Sequence, residues 1–392
     1  MINLDDGLSG LLAAVADAVG LQEGEVGVER VLRAIGQLEP ASTRAVSRHV
    51  GLPLPLVAAV NNELRARDVL TRDRPSRLTA YGRRLLDDLD VDPVEVGGCT
   101  CCAGHSVVVP AELTPVVDRL ARLIEAGPEI DLTLDQSFAT AATKVRRVLL
   151  MMRYGLLPGR SVLLVGDDDL MSVTIAAVGA ALGRRLVHHL AVVDISPTLL
   201  DFIQNQLGEL GQPAELRQHD LRRPLPERFH GAFELAMTDP PYTTDGAALF
   251  LSRAVEGLRP GPGRSVIFSF GPKGPDDTLE VQRTVAQLGL TVQAMHRNFN
   301  EYLGAGVIGG VSHLQHLVST AETAPMLAGD YTGPLYTADQ RTAPRQYACN
   351  GCGSRYLVGQ HEQWTTIALL KQAGCAQCGG DRFRPLQLVK GR

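Results

Sequence analysis

The chain has 392 residues, of which 45% are hydrophobic and 21% are charged, and its formal net charge is −5. This length allows about two or three domains with a sizeable core, and the acidic balance argues against a protein whose whole surface binds nucleic acid. No apolar run reaches the roughly eighteen residues that a membrane span needs, and residues 1–6 lack the basic start of a signal peptide. We therefore expect a cytoplasmic protein with no membrane partner.

Residues 1–90 are predicted to form a winged-helix domain with a leading apolar helix. A helical stripe of apolar residues begins at Val31, Ser42 can cap the second helix of the domain, and Pro53 can open the third. A hairpin over residues 69–78 would form the wing, and a short helix would close the domain.

The winged-helix segment is basic. Residues 28–84 contain eleven arginines against five acidic residues, a net charge of +6. A domain of this kind can read DNA through its third helix, so nucleic acid is one candidate partner. The side chains that would approach a groove are Asn61, Asn62, Arg65 and Arg67.

A linker with a cysteine cluster is predicted over residues 91–130. Cys99, Cys101 and Cys102 offer one Cys-x-x-Cys pair, with His105 nearby, but no second pair follows at the spacing of a zinc ribbon. Two interpretations stay open: half of a metal site completed elsewhere in the fold, or reduced thiols at a domain junction. Nothing around the pair indicates the depressed pKa of a redox thiol.

Residues 131–322 are predicted to form the catalytic domain, an α/β unit with a Rossmann-like sheet of the methyltransferase type. Short apolar runs that alternate with helical segments indicate parallel strands. The predicted strands cover residues 161–165, 186–193, 233–238, 264–270, 292–298 and 311–318, and the first helix between them covers 171–182. The last two strands are expected to form the antiparallel end of the sheet.

Two acidic turns follow two of these strands. Gly166, Asp167, Asp168 and Asp169 come after the first strand, and a second acidic turn begins at Asp239. The carboxyl ends of parallel strands are where ligands bind in open α/β folds. One glycine followed by three aspartates suits an ammonium group better than a phosphate or a carboxylate, so the first turn indicates an enzyme that handles amines.

The second turn, Asp239, Pro240, Pro241 and Tyr242, is a signature of alkyl transfer to an amino nitrogen. Its second proline removes a backbone donor, and the stiff turn holds carbonyl groups facing outward. With the Asp239 carboxylate, these carbonyls can accept hydrogen bonds from a substrate N–H and leave the nitrogen lone pair aimed at an electrophile. The alternative is that both turns are ordinary acidic connections between a strand and a helix.

Two further aspartates are placed to bind an adenosine. Asp194 ends the second strand and can bond the two ribose hydroxyls, and Asp220, after the third strand, can bond the adenine amino group.

A second linker is predicted over residues 323–346, followed by a zinc ribbon over 347–392. Its two Cys-x-x-Cys pairs are separated by the spacing with which two turns hold one tetrahedral zinc ion. A disulfide framework is disfavoured in a cytoplasmic chain. The proposed ligands are Cys349, Cys352, Cys375 and Cys378. So small a unit has too little core to fold without its metal, and it could serve as a lid or a partner-binding module.

Four stretches in this order, 166–169, 220–226, 238–241 and 297–302, resemble the branched-chain polyamine synthases. The resemblance covers roughly residues 28–320. It implies a transferase that moves aminopropyl groups from decarboxylated S-adenosylmethionine to an amine nitrogen of a polyamine such as spermidine. It also implies that the winged helix serves dimerisation or roofs the active site, so that a homodimer is expected and DNA binding is not favoured.

The charge of the first turn bears on the donor. The carboxylate of S-adenosylmethionine would meet Asp167, Asp168 and Asp169, and like charges at such short range are unfavourable. Decarboxylated S-adenosylmethionine lacks that carboxylate, so aminopropyl transfer is favoured over methyl transfer. In line with the resemblance, Asp168 is the predicted base and Asp239 orients the acceptor nitrogen. The predicted acceptor contacts are Asp167, Asp169, Pro240, Tyr242 and Glu301, of which Glu301 would hold a distal ammonium group.

Two other functions stay open. One is an S-adenosylmethionine-dependent methyltransferase that acts on an amino group of nucleic acid or protein. The other is a regulator in which a retired synthase domain senses a polyamine. The intact turn of three aspartates argues against the sensor, because a site that only binds needs no base beside the sulfonium.

Overall fold

The structure, a computed structural model, describes residues 7–88, 107–128, 136–157, 159–303, 310–333, 335–336, 345–358, 362–364, 370–371 and 373–386. The chain divides into two compact units. The first comprises Met1–Ile130 with Gln136–Thr332, and the second comprises Asp131–Asp135 with Gly333–Arg392. The cysteine cluster at 99–102 and its open interpretations lie outside the described residues. Among the described residues, no helix is long and apolar enough to cross a membrane.

Five helices make up the described part of the amino-terminal module. They are α1 (Gly7–Val19), α2 (Gly24–Leu38), α3 (Thr43–Val50), α4 (Leu54–Ala66) and α5 (Ala80–Asp88). As predicted, Ser42 caps α3, its hydroxyl accepting from the Ala45 amide at 3.1 Å, and Pro53 precedes α4. Gly51 ends α3 with φ 74°, a left-handed conformation that favours glycine.

The apolar stripe of α2 packs as the sequence predicts. Val31, Leu32 and Ile35 are fully buried, because residues three and four apart share one face of a helix. A single antiparallel bridge, Leu70 to Leu78, lies where the wing is expected. The order of these elements follows the predicted pattern, and assignment of the module to the winged-helix fold stays a prediction.

The sheet of the first unit has seven strands in the order β3-β2-β1-β4-β5-β7-β6. The strands are β1 (Ser161–Val165), β2 (His189–Asp194), β3 (Glu215–Gln218), β4 (Leu235–Thr238), β5 (Ser265–Phe270), β6 (Leu290–Glu301) and β7 (Val311–Ser319). The pairs among β1 to β5 are parallel, and β7 is antiparallel to both β5 and β6. The predicted antiparallel end of the sheet is confirmed.

Helices accompany this sheet along the chain. They are α6 (Thr114–Ala126), α7 (Ala141–Arg153), α8 (Met171–Ala181), α9 (Pro197–Glu209), α10 (Thr244–Gly257) and α11 (Pro275–Gln287). All residues of β1 and of β5 are buried, as expected of strands covered on both faces, which explains why their sequences are mainly apolar, with Ser161, Ser265 and Ser269 as the polar members.

The carboxyl end of β6 is irregular. The register between β6 and β7 shifts between His296 and Asn300, and Asn298 within this shift has φ 53°. Such a bulge redirects the strand, and the side chains after it are those of the fourth family-like stretch.

The described part of the second unit contains three short antiparallel strands. They are β8 (Arg345–Cys349), β9 (Arg355–Val358) and β10 (Phe383–Pro385), with β8 in the centre. Its buried apolar cluster consists of Cys349, Val358, Leu370, Cys375 and Phe383. This core is small, and two of its members are cysteines.

Candidate active site

In the loop after β1, the Asp167 carboxylate points towards the start of helix α8. Gly166 has φ 77°, and Leu170, at the start of the helix, has φ 54°. The Asp167 carboxylate accepts hydrogen bonds from the amides of Met171 at 2.6 Å and Ser172 at 3.2 Å, and from the Ser172 hydroxyl. Asp167 therefore caps α8. Burial raises its pKa to about 7, with the hydrogen bonds opposing the rise.

Asp169 points towards helix α7 and is ion-paired. Its carboxylate accepts from Arg147 Nη1 at 2.6 Å and from the Ala139 amide at 2.6 Å, and Lys144 Nζ lies 3.7 Å away. Both basic side chains are fully buried. The charge of Asp169 is therefore balanced within the fold.

Asp168, between these two, is half-buried and differs from both. Among the described residues, no donor or cation lies within bonding distance of its carboxylate. Its pKa is raised well above the ordinary value, first by burial and then by the charges of Asp169 and Asp239. Of the three aspartates, Asp168 is the one with a carboxylate available to a substrate.

The second turn begins at the end of β4. Arg147 links it to the first turn, because this side chain bonds to both Asp169 and Asp239. Asp239 Oδ2 accepts from Arg147 Nη2 at 2.9 Å and from the Tyr302 hydroxyl, which also contacts Ser312 Oγ at 2.9 Å. The Oδ1 atom has no hydrogen-bond partner in the described part of the chain. Burial raises the Asp239 pKa to about 6, and Arg147 opposes the rise.

Arg147 is the centre of this polar network, and the sequence analysis gave it no role. Its Nε donates to Asn300 Oδ1 at 2.8 Å, while the Asn300 amide donates to Ser269 Oγ at 3.0 Å and Ser312 Oγ at 2.8 Å. One sequence signal could have found it. Lys144 and Arg147 stand three positions apart, on the helix face that also carries Ala141, Val148 and Met151. Basic residues on such a face need buried partners.

The residues predicted to bind adenosine lie at the same edge of the sheet. Asp194, at the end of β2, accepts from the amides of Ser196 at 2.8 Å and Asp167 at 3.1 Å, so it stands beside the first acidic turn. Burial raises its pKa. Asp220, two residues after β3, accepts from the Arg222 amide at 3.0 Å.

The prolines of the second turn are buried, and the Tyr242 ring packs edge-on against Phe270 with 5.6 Å between centroids. Lys273 Nζ donates to the Tyr242 carbonyl oxygen. One of the carbonyls expected to face a substrate therefore already has an internal donor. Pro240 stands between Asp239 and Pro241, two residues before the Tyr242 carbonyl group.

Glu301 is paired with the amino-terminal module. Its carboxylate accepts from Arg48 Nη2 of α3, and the side chain is 27% exposed. The side-chain amide of Asn298 donates to the Arg48 carbonyl oxygen at 2.7 Å. The predicted holder of a distal ammonium group thus has an arginine partner, and α3 lies against the bulged end of β6.

All four side chains predicted to approach DNA are engaged within their own module, and Asn62 Oδ1 accepts from Arg65 Nη1 at 3.3 Å. Asn61 is fully buried, Arg65 Nη2 donates to Ser76 Oγ at 2.6 Å, and Arg67 forms an ion pair with Glu63. These contacts do not favour DNA reading by α4.

The four ribbon cysteines come together as predicted. Their sulfur atoms all lie within 4.8 Å of one another. The closest pairs are Cys349 with Cys378 at 3.5 Å and Cys352 with Cys375 at 3.4 Å, and the Gly351 amide donates to Cys349 Sγ at 3.4 Å. Four thiols around one point, with a backbone donor to sulfur, fit a tetrahedral metal site.

The strand order, with the antiparallel pair β6 and β7 at one end and acidic turns at the carboxyl edge, is that of a Rossmann-like sheet of the methyltransferase type. Residues 115–332, more than half of the chain, match the family described as branched-chain polyamine synthase A C-terminal domain. The chain therefore belongs to the branched-chain polyamine synthase family, and the predicted family is confirmed.

Relatives differ in how much of the chain they match. An uncharacterized protein of Methanocaldococcus jannaschii is 32% identical over 382 residues, 97% of this chain and 93% of that protein. The N(4)-bis(aminopropyl)spermidine synthase of Thermococcus kodakarensis is 32% identical over 261 residues, 65% of this chain and 72% of that enzyme. The Methanocaldococcus jannaschii protein, which matches nearly the whole chain, thus has no named activity.

The crystal structure of the branched-chain polyamine synthase from Thermus thermophilus, in complex with N4-aminopropylspermidine and 5'-methylthioadenosine, has the same fold. It matches with a TM-score of 0.70 at 23% identity, covering 85% of this chain and 98% of that one.

Proposed function

We propose that the protein is an aminopropyltransferase that moves aminopropyl groups from decarboxylated S-adenosylmethionine to an amine nitrogen of a polyamine such as spermidine, giving branched polyamines. The observation that carries this proposal is the state of the three aspartates after β1. Asp167 caps a helix and Asp169 is ion-paired, whereas the Asp168 carboxylate is left for a substrate. Membership of the family and the names of its relatives support the same reaction.

In the proposed step, Asp239 orients the acceptor and Asp168 removes its proton. Asp239 Oδ1 accepts a hydrogen bond from the acceptor N–H, while Arg147 and the Tyr302 hydroxyl hold Oδ2. The nitrogen lone pair attacks the aminopropyl carbon bound to sulfur, the carbon–sulfur bond breaks, and methylthioadenosine leaves. Before this attack, one proton of the acceptor ammonium group passes to Asp168, which frees the lone pair and leaves the other N–H on Asp239 Oδ1. Burial raises the pKa of the Asp168 carboxyl group above its ordinary value, the direction that favours a base.

Charge supports the donor without a carboxylate. Three carboxylates and two basic groups lie close together, so their net charge is −1 when all are ionised. They are Asp168, Asp169, Asp239, Arg147 and Lys144. The unbalanced negative charge is that of Asp168, which forms no ion pair with the other described residues. An additional carboxylate would meet that charge in a buried site, whereas an ammonium group would be attracted to it. Asp194 and Asp220 would hold the adenosine at the neighbouring strand ends.

The four ribbon cysteines would hold a zinc ion with a structural role. Cys349 and Cys375 are buried members of the small ribbon core and Cys352 and Cys378 are exposed, so a metal would join the two cysteine pairs at the edge of that core. The cytoplasmic location and the homodimer stay predictions. Light scattering on the purified protein tests the dimer.

Mass spectrometry tests the proposed reaction directly. The zinc-loaded protein is incubated with spermidine and decarboxylated S-adenosylmethionine, and an Asp168→Asn variant serves as the matched control. We expect spermidine to gain aminopropyl groups while methylthioadenosine accumulates in equal amount. Methyl transfer from S-adenosylmethionine, with no product from the decarboxylated donor, would overturn the proposal in favour of a methyltransferase.

A further inference from the structure

One face of the three-stranded sheet formed by β8, β9 and β10, here called the ribbon sheet, carries three arginines. Arg384 of β10 and Arg355 of β9 lie opposite the same residue of the central strand, Ala348, so both point to one face of the sheet. Arg382 stands two residues before Arg384, and its carbonyl accepts from the Asn350 amide at 2.9 Å, which continues the pairing. Because side chains alternate along a strand, Arg382 shares this face.

The opposite face of the same sheet is the apolar one. Cys349 and Phe383 are register partners and are buried, and Tyr347 and Tyr356 pack against them. The aromatic side chains of these strands therefore pack in the ribbon core and do not lie on the arginine face. The arginine face has no such partner within the sheet.

The three arginines are exposed, and their neighbours on this face are uncharged. These neighbours are Gln346, Ala348, Asn350 and Leu357, of which Leu357 is 44% exposed while Ala348, between Arg355 and Arg384, is buried. Among the described residues, none of the three guanidinium groups forms an ion pair or a side-chain hydrogen bond. A planar guanidinium group that is not neutralised binds phosphate through parallel hydrogen bonds.

The charge of this segment is opposite to that of the remaining chain. Residues 345–392 contain seven basic and two acidic residues, a net charge of +5, whereas the whole chain carries −5, which leaves −10 on residues 1–344. Zinc with four thiolates would contribute −2 and still leave the ribbon at +3. Residues 1–344 carry −10 in sum although residues 28–84 within them carry +6, so attraction to a polyanion must come from a local basic segment, and the ribbon is one of these two.

We propose that the arginine face of the ribbon, Arg355, Arg382 and Arg384, is a binding surface for nucleic acid, which it holds by the phosphate backbone. Gln346 and Asn350 can add hydrogen bonds to phosphate or sugar, and these contacts carry no sequence information. The ribbon would thereby bring the enzyme to nucleic acid. Polyamines are polycations, and they collect around nucleic acid as counterions. The surface is distinct from the acidic edge of the sheet in the first unit.

Fluorescence anisotropy tests the surface with the full-length, zinc-loaded protein. The probes are a labelled single-stranded RNA and a labelled duplex DNA, each of about 20 nucleotides or base pairs, which exceeds the site size of a small module. The test variant is Arg355→Gln with Arg382→Gln and Arg384→Gln. The matched control removes three exposed arginines of the first unit, Arg160→Gln with Arg184→Gln and Arg217→Gln, and so changes the net charge equally.

We expect the parent to bind at least one probe with a Kd between about 10⁻⁴ and 10⁻⁶ M near physiological salt. The test variant should bind that probe at least tenfold more weakly, and its slope of log affinity against log salt should be smaller by about two for the single-stranded RNA or about three for the duplex. The control should keep the parent affinity within about twofold. Each single Arg→Gln variant should show part of the loss, which guards against misfolding of the triple variant.

Equal affinity and equal salt slope in the test variant and the parent would overturn the inference. Equal weakening in the test variant and the control would also overturn it, since bulk charge would then explain the binding. Attachment to anionic lipid vesicles without binding of either probe would replace nucleic acid by a membrane surface. Turnover with free spermidine should stay at the parent level in the test variant, so this inference and the proposed reaction fail or succeed separately.

Discussion

Arg147 donates to Asp169 at 2.6 Å and to Asp239 at 2.9 Å, so one buried side chain joins the two acidic turns of the sheet edge. Burial disfavours all three charges, and their mutual attraction offsets that cost only while the geometry is kept. The distance between the proposed base and the proposed orienting carboxylate therefore depends on a residue of helix α7, which is in neither turn.

Removal of the Arg147 charge should destabilise the protein and disable the site together. We expect Arg147→Met to lower the free energy of unfolding by about 3 to 5 kcal/mol, because two buried carboxylates lose their cation. The control is Arg122→Met on α6, an exposed position where the change should stay within about 0.5 kcal/mol. Urea unfolding measures both, and a loss no larger than the control's would contradict the role of Arg147.

Asp168→Asn should keep the shape of the site and remove the base. Turnover should fall by a factor of about 10² to 10⁴, with nucleoside binding nearly intact. Raising the pH should partly rescue the variant, because more of the acceptor amine then arrives neutral. Steady-state rates from pH 7 to 10 measure this, with Asp201→Asn on the exposed face of α9 as control. Near-normal turnover at neutral pH would move the base to another aspartate.

The site should prefer nucleosides that lack a carboxylate. Decarboxylated S-adenosylmethionine or methylthioadenosine should raise the melting temperature more than S-adenosylhomocysteine does at the same concentration, because only the latter brings a negative charge to Asp168. Differential scanning fluorimetry measures the shifts. Equal or greater stabilisation by S-adenosylhomocysteine would favour the methyltransferase interpretation.

Asp167 should make the folded state less stable as pH rises. Its pKa is about 7 in the fold against about 4 in an unfolded chain, so the folded state binds more protons between these values. The free energy of unfolding should fall by on the order of 2 to 4 kcal/mol from pH 4 to pH 7 through this group. Asp167→Asn retains an oxygen for the α8 cap and should flatten the curve relative to the parent. Parallel curves for the parent and the variant would show that Asp167 is not the titrating group.

The ribbon should hold about one zinc ion per chain. Cys352→Ser and Cys378→Ser should each lose it, whereas Ser354→Ala, beside the site, should retain it. Elemental analysis of freshly purified protein gives the ratio, and protein prepared with zinc in the medium but containing none would reject the metal site.

The sheet was predictable because its signals are local. A mainly apolar run marks a strand covered on both faces, so β1 and β5 were found at nearly their observed bounds. Strand β3 was placed only as an unnamed strand before Asp220, since Glu215–Gln218 is short and polar, with no fully buried position. Its place next to β2 comes from pairing, which sequence periodicity does not report.

The sequence indicated which acidic residues would lie at this edge of the sheet, but it did not indicate the contacts that they make there. Three consecutive aspartates look alike in sequence, and the left-handed conformation at Leu170 brings helix α8 in directly after them, where Asp167 caps it. Glu301 and Arg48 are 253 positions apart, and no local pattern announces their ion pair. Such pairings depend on how the chain packs, and the sequence alone gave them no signal.

The contact of α3 with the end of β6 limits how the chain can be cut or recombined. Arg48 and Asn298 hold a bulge whose following residues, Asn300 and Tyr302, hold Arg147 and Asp239. The amino-terminal module therefore holds the end of β6, and the end of β6 in turn holds the side chains of the proposed site. An isolated sheet domain transplanted without that module would keep every proposed catalytic side chain and lose the brace that fixes their spacing.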